Sequence, residues 1–284
     1  MTEIKKIGVV GCGIMGGGIT QVCAQSGYQV VVSETEDNLL KKGLSSIDKV
    51  LTRDVEKGKK SQEEKEDALK RIQGTLSLDD FSGCDLVIEA VPEVMELKKE
   101  IFEKLDKICS EHAILATNTS VLSVIDIAAA TKRADMVIGM HFANPVPVMK
   151  VLEIVKTIAT SDETLESAKS VGESLGKTVV VAKDEPGFLI NRIFTPLLLN
   201  AVRILEAGSA TREDIDTIVK EGLGHPMGPL TLLDLIGIDT VYRGEMDMYE
   251  ETKDSQYNPP TLMRKMVAMG WHGRKSGKGF YDYS

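Results

Sequence analysis

Histidine is scarce in this sequence, with four in 284 residues. The four cysteines, Cys12, Cys23, Cys84 and Cys109, form no C-x-x-C pair and no cluster with histidine. A structural zinc site therefore lacks a ligand set, and no metal is expected. Free thiols this scattered suit a reducing cytoplasm. Aromatics are only 5% of the chain and the formal net charge is -9, with no basic stripe. That balance argues against nucleic-acid binding. No run of about 18 uncharged apolar residues occurs, so no membrane span is expected. The apolar stretch after Lys5-Lys6 is too short and too broken by glycine to read as a signal peptide. Cytoplasm is the expected location. Neither an internal repeat nor a low-complexity segment is visible.

What is present is ordinary globular material, 42% hydrophobic and 27% charged, enough for one or two domains. β-branched runs at 7–10, 29–33, 86–89, 114–117, 136–139, 151–154 and 178–181 read as strands. Helical periodicity lies between them, at 14–25, 97–109 and 162–175. Alternation of this kind implies α/β architecture: a doubly wound, mostly parallel sheet covered on both faces. The polar segment 54–71 reads as an exposed helix, turn and helix after the second strand. The pattern changes at Lys183-Asp184-Glu185-Pro186-Gly187, a natural hinge. Beyond it the periodicity is helical, at 188–207, 212–222, 230–236 and 260–269. The 188–207 run is apolar nearly all round, as in a helix buried between neighbours. A boundary near residue 184 is expected, with the α/β domain over 1–184 and a mostly α-helical domain over 185–284.

Near the start, Gly11-Cys12-Gly13-Ile14-Met15-Gly16 fits G-x-G-x-x-G. Alone the pattern is weak, but here an apolar strand precedes it and a helix follows. The first glycine allows the tight turn, the second lets the backbone approach a pyrophosphate, and the third lets helix pack on strand. The helix start, with Ile14 and Met15, offers N–H groups to phosphate. Glu34, at the end of the second strand, stands where an acid meets the adenine ribose, with Glu36 and Asp37 as nearby alternatives. A carboxylate there would repel a 2′-phosphate, which favours NAD over NADP.

Hydride transfer from an alcohol needs an acceptor for the hydroxyl proton, and histidine suits the task. His112 lies among charged residues, and His225 and His272 lie in glycine-rich turns. His141 stands just past the strand at 136–139, at the carboxyl end where ligands gather in such sheets.

An ordered series of motifs adds to this reading: GVVGCGIMGGGI at 8–19, VIEAVPE at 87–93, ATNTS at 116–120, HFANPVPVMKVLEIV at 141–155, EPGFLINRI at 185–193, GHPMGPL at 224–230 and GRKSGKGFYDY at 273–283. Together they resemble the 3-hydroxyacyl-CoA dehydrogenases, above all the short bacterial 3-hydroxybutyryl-CoA dehydrogenases, over nearly the whole chain. The resemblance implies a Rossmann-type first domain and an NAD(H)-dependent interconversion of (S)-3-hydroxybutyryl-CoA and acetoacetyl-CoA. It also implies a homodimer, with a place in butyrate- or butanol-type fermentation or in fatty acid β-oxidation. It carries a catalytic pair onto His141 and Glu153, and contacts with the reacting oxygen or thioester onto Ser120 and Asn191. NAD contacts fall on Glu93, Lys98, Asn118, Asn144 and Lys275, and Lys98 is also placed near coenzyme A. Arg53 and Lys57 are candidates for the phosphates of the acyl-CoA substrate. Two other readings remain at this point: a dehydrogenase of free 3-hydroxy acids, and a binding protein that has kept the fold without catalysis.

Overall fold

The computed structural model describes residues 3–283. The chain divides into two compact units, one ending at Glu185 and the other starting at Pro186.

The first unit runs β1 (Lys6–Val10), α1 (Ile14–Gln25), β2 (Gln29–Ser33), α2 (Asp37–Glu56), α3 (Gln62–Lys70), β3 (Ile72–Thr75), β4 (Leu86–Glu89), α4 (Met95–Ile108), β5 (Ile114–Thr117), α5 (Val124–Ala128), β6 (Val137–Phe142), β7 (Val151–Lys156), α6 (Asp162–Ser174) and β8 (Thr178–Lys183). All eight strands join one sheet in the order β3-β2-β1-β4-β5-β6-β7-β8. The six from β3 to β6 are parallel. β7 turns back against β6, and β8 lies parallel to β7. The order reverses between β1 and β4, where an α/β sheet leaves a crevice at the carboxyl ends of its strands. The inner strands carry Ile, Val and Leu on both faces. Ile7, Val9, Leu86 and Ile88 are fully buried, as expected where helices cover both sides.

The structure departs from the sequence reading in a few places. β3, with the sequence IQGT, is added at the sheet edge; its Gln and Gly carry little strand signal. β6 runs to Phe142 rather than stopping at Gly139, so His141 lies inside a strand instead of in the loop after it. The polar stretch after β2 is a longer α2 followed by α3, which starts on a capping box of Ser61 and Glu64.

The second unit is built from α7 (Ile190–Glu206), α8 (Arg212–Thr217), which continues as a π-helical turn over Ile218–Gly222, then α9 (Pro229–Ile236), α10 (Ile238–Thr252) and α11 (Thr261–Ala268). Its core contains Leu198, Leu199, Val202, Leu230, Leu233 and Met263. α7 buries one stripe, Thr195, Leu198, Leu199, Ala201 and Val202, while Ile193 is 75% exposed. The expectation of burial all round is therefore corrected. α10 escaped the sequence reading because its polar, acidic register hides a single buried seam. Gly237, at φ 106, lets α9 end and α10 begin without an intervening loop. The closing segment is pinned by buried Asp234, which accepts from the Phe280 and Tyr281 amides at 2.9 Å each and from the Tyr283 hydroxyl at 3.0 Å. Gly279 is required there, because a Cβ would fall 1.9 Å from Asp234 Oδ1.

No helix among the described residues is long and apolar enough to cross a membrane. The four cysteines are buried and unpaired.

One buried acid in the second unit has a consequence for stability. Glu245 on α10 is 5% exposed. Its Oε1 accepts from Thr195 Oγ1 at 2.6 Å, and its Oε2 has no hydrogen-bond partner among the described residues. Burial pushes its carboxyl up to about 7, against the opposing effect of the Thr195 bond. A folded value raised from the ordinary 4.5 means that Glu245 supports folding fully below about pH 4.5, and that this support is lost as pH rises through about 7. Glu245→Gln keeps the acceptor for Thr195 and removes the charge. It should stabilise the protein by about 3 kcal/mol at pH 9 and leave stability near pH 4.5 unchanged. Denaturation midpoints at the two pH values measure the difference.

Candidate active site

The glycine motif folds into a cradle between β1 and α1. Gly11 has φ 95 and packs so closely on the chain after β4 that a Cβ would stand 2.9 Å from the Ala90 carbonyl oxygen. At Gly16 a Cβ would meet the Gly11 carbonyl oxygen at 1.8 Å, so helix and turn touch there. Gly13 is different: nothing lies within 4 Å of its added Cβ. Its smallness serves no packing inside the protein and leaves room for a ligand. No side chain caps α1, and no acid occupies its first turn. The amides of its first turn, Ile14 and Met15 among them, thus face outward at the positive end of the helix dipole. Ile14 itself is 84% exposed. Glu34 follows β2 directly, with Oε1 accepting from the Cys12 amide at 2.8 Å. Of its two acidic neighbours, Glu36 is the N-cap position of α2 and Asp37 pairs with Lys41 at 2.6 Å. Glu34 is therefore the acid tied to the glycine turn. Cradle, helix end and acid fit a dinucleotide with a pyrophosphate and an unphosphorylated ribose.

Three strands along the sheet from β1, His141 on β6 faces Glu153 on β7 in direct register. Opposed residues of an antiparallel pair bring their Cβ atoms to about 5 Å, within easy reach of imidazole and carboxylate. His141 Nδ1 and Glu153 Oε2 stand 2.7 Å apart. The imidazole side chain is 8% exposed and the carboxylate 1%. A carboxylate in that position fixes the ring and sets its tautomer.

Between these two places lie the ends of β4 and β5. Asn118, just beyond β5, accepts from the Phe142 amide at 2.9 Å through Oδ1, which ties the end of β5 to the strand bearing His141. Ser120 is half-buried two residues further on, and its amide donates to Glu93 Oε1 at 2.8 Å. Glu93 also receives the Thr119 hydroxyl and, at 3.3 Å, the Val121 amide. Behind it sits Lys98 of α4, fully buried, with Nζ 3.3 Å from Glu93 Oε2 and 2.7 Å from Glu89 Oε1. Glu89, the last residue of β4, is fully buried too, and accepts from Thr117 Oγ1 at 2.8 Å. Sequence reasoning passed over Glu89. Its signal was an acid closing the otherwise apolar strand LVIE, a position that needs a buried cation.

Residues 6–185 match the NAD binding domain of the 3-hydroxyacyl-CoA dehydrogenases, and residues 187–283 match their C-terminal domain. The chain belongs to the 3-hydroxyacyl-CoA dehydrogenase family. It is 45% identical over 281 residues to a probable 3-hydroxybutyryl-CoA dehydrogenase of Bacillus subtilis, covering 99% of this chain and 98% of that one. Identity is also 45% over 285 residues to the 3-hydroxybutyryl-CoA dehydrogenase of Mycobacterium tuberculosis, covering 99% of each. Among solved structures, M. tuberculosis FadB2 aligns over 100% of both chains with TM-score 0.97 and 44% identity. The (S)-3-hydroxybutyryl-CoA dehydrogenase PaaH1 of Ralstonia eutropha gives TM-score 0.96 and 43% identity over 99% of this chain and 100% of that one. As a 3-hydroxyacyl-CoA dehydrogenase the chain is an oxidoreductase, and NAD is its cofactor.

The remaining residues singled out from the sequence are more dispersed. Asn144 is exposed in the turn after β6. Arg53 and Lys57 are exposed at the C-terminal end of α2. In the second unit, Asn191 begins α7 just after Gly187 and Phe188, which both have positive φ, 75 and 48. Phe188 is a bulky buried residue in the left-handed region, a strained conformation that surrounding structure must enforce. Lys275 is ion-paired with Asp239 at 2.6 Å within its own unit. Of the other histidines, His112 is exposed, and His225 and His272 are half-buried in the second unit.

The contrast between two glycines gives a direct test of the cradle. Gly13→Ala meets no protein atom, so its thermal midpoint should stay within about 2 °C of the parent, while NADH affinity falls at least about tenfold by fluorescence titration. Gly16→Ala drives a methyl into backbone and should destabilise the fold itself, by about 2 kcal/mol or more.

Proposed function

We propose that this chain interconverts (S)-3-hydroxybutyryl-CoA and acetoacetyl-CoA, with His141 and Glu153 as its proton-transfer pair. The observation that carries the reading is the buried 2.7 Å contact between the two across facing strands. The relatives named for this substrate, at about 45% identity over nearly the full chain, support the choice of acyl group.

In oxidation, His141 takes the proton of the C3 hydroxyl through Nε2, because Nδ1 is committed to Glu153. Glu153 then holds the imidazolium as an ion pair. Bound NAD supplies the hydride acceptor. In reduction His141 returns the proton to the oxygen as negative charge develops on it. Ser120 donates a hydrogen bond to that oxygen and polarises the carbonyl, and Asn191 takes the role that the family resemblance gives it, a contact with the oxygen or the thioester. Glu34 holds the ribose hydroxyls, the turn at Gly11, Gly13 and Gly16 takes the pyrophosphate, and Asn118, Asn144, Glu93 and Lys275 complete the cofactor site; Lys98, fully buried against Glu89 and Glu93, stands behind that site and does not touch the cofactor. Arg53 and Lys57 serve the phosphates of coenzyme A. Residues 1–184 form the NAD-binding domain and 185–284 the substrate and dimerisation domain. The setting is the cytoplasmic metabolism of short acyl-CoA thioesters, in butyrate- or butanol-type fermentation or fatty acid β-oxidation. The unpaired thiols agree with that compartment.

Loss of NADH absorbance on adding acetoacetyl-CoA tests the reaction. Free acetoacetate should be inert, and activity on the free acid alone would favour a different substrate class. His141→Gln and Glu153→Gln should each lower kcat by between about 10² and 10⁴, with NADH binding retained. Full activity in either variant would remove the pair from the mechanism.

A homodimer through the second unit is part of the same reading. An apolar groove there is lined by Pro196, Leu197, Ile204, Ile218 and Leu223. Ile218 and Leu223 are each 64% exposed, a concentration of apolar surface suited to a partner chain. Sedimentation equilibrium should give twice the chain mass, and Ile218→Glu combined with Leu223→Glu should give the single mass. A monomeric parent protein would overturn the assignment.

A further inference from the structure

Two fully buried charges in the first unit, Glu89 and Lys98, stand behind the loop that carries Ser120. Lys98 Nζ has three acceptors around it: Glu89 Oε1 at 2.7 Å, Glu93 Oε2 at 3.3 Å and the Val91 carbonyl at 3.5 Å. An ammonium has three N–H bonds, so its donors match its acceptors in number. Glu89 is equally engaged. Oε1 also accepts from the Val91 amide at 2.7 Å, and Oε2 accepts from Thr117 Oγ1 at 2.8 Å. The pair thus joins three segments: the end of β4, the first turn of α4 and the end of β5.

Lys98 passes this on to Glu93, whose side chain is 35% exposed. One oxygen of Glu93 faces Lys98. The other collects the Ser120 amide at 2.8 Å, the Val121 amide at 3.3 Å and the Thr119 hydroxyl. Thr119 Oγ1 in turn accepts from the Leu122 amide at 3.0 Å. Every backbone amide from Ser120 to Leu122 is therefore bonded to Glu93 or to the hydroxyl that Glu93 holds.

We infer that Glu89 and Lys98 are positioning residues: they anchor Glu93 as a clamp that fixes the 119–122 loop, and with it the place of Ser120 over the reacting oxygen. The inference rests on the role given to Ser120 above. Stability alone does not account for the pair. Burying two ions carries a desolvation penalty, and apolar replacements of similar volume are often as stable. What the ions supply that apolar side chains do not is direction, because each contact fixes a donor on an oxygen. The cluster of two carboxylates and one ammonium carries a net negative charge, and its exposed member, Glu93, is the one that meets the loop.

The test is a double-mutant cycle with Ser120. Glu89→Gln should lower kcat for acetoacetyl-CoA reduction about tenfold, with NADH affinity within about threefold of the parent. In a Ser120→Ala background the same change should cost less than about twofold, since the group being positioned is gone. Should Glu89→Gln not fold, Thr117→Val, which removes the hydroxyl bonded to Glu89 Oε2, takes its place in the cycle with the same expectation. Additive losses would overturn the inference. So would a fall in NADH affinity that alone accounts for the lost activity, since Glu89 and Lys98 would then act through the cofactor site. Amide hydrogen exchange gives an independent reading: Glu89→Gln should speed exchange at least about tenfold at 120–122 with the core strands unchanged. Unchanged exchange there, or a uniform rise through the first unit, would overturn the clamp. If Ser120→Ala keeps the parent kcat, the role of Ser120 fails, and the exchange rates alone decide whether the clamp exists.

Discussion

The pairing of β6 with β7 is the constraint on which the site depends. Residue alternation in a strand has a period of two, so a slip of one residue would send Glu153 to the opposite face of the sheet from His141. The register is held from both sides. Gly139 lies opposite Val155, and a Cβ there would meet Val155 Cβ at 2.7 Å. On the far side β7 pairs with β8 along its whole length. β7 also runs against the direction of the first six strands, which allows a short turn back from β6 where a parallel neighbour would need a crossover. That reversal places an acid directly beside a histidine that already sits at the carboxyl edge.

The same edge of the sheet gathers an unusual density of buried polar groups. Glu89, Lys98, Thr117, Asn118, Thr119, His141 and Glu153 are all nearly inaccessible, in a region otherwise made of Val, Ile and Leu. Such groups persist because they satisfy one another. Asn118 bonds the β6 backbone, Glu89 bonds Thr117 and Lys98, and Glu153 bonds the imidazole. The result is a rigid polar seam along the ends of β4, β5, β6 and β7, set into an apolar frame. Groups held in this way keep their orientation without needing a ligand to impose it.

Much of this was legible in the sequence, for reasons that differ by region. The inner strands announced themselves because full burial demands unbroken β-branched runs, and the glycine turn because its spacing has a steric meaning. The edge strand at 72–75 did not, since an edge makes weaker demands on side chains. α10 was hidden because its buried seam is narrow within a polar stretch. His141 was legible as a candidate, but its place inside β6 was not, because Gly139 and the polar histidine itself interrupt the apolar run. Glu153 looked like any acid in a strand until the antiparallel register set it opposite the ring. Glu89 and the reach of Lys98 depend on contacts between segments far apart in sequence, which no local pattern encodes.

The hydrogen bond from the Cys12 amide to Glu34 joins two parts of the nucleotide site that are usually considered separately. The acid is oriented by the phosphate turn itself, so its rotamer is settled by the protein alone and little of its freedom remains to be lost on binding. It also means that cofactor preference and loop geometry are not independent properties of this chain. Exchanging Glu34 for a small neutral residue to admit a 2′-phosphate would strip the glycine turn of an acceptor for one of its own amides. An NADP-selective descendant would have to rebuild that support from another side chain.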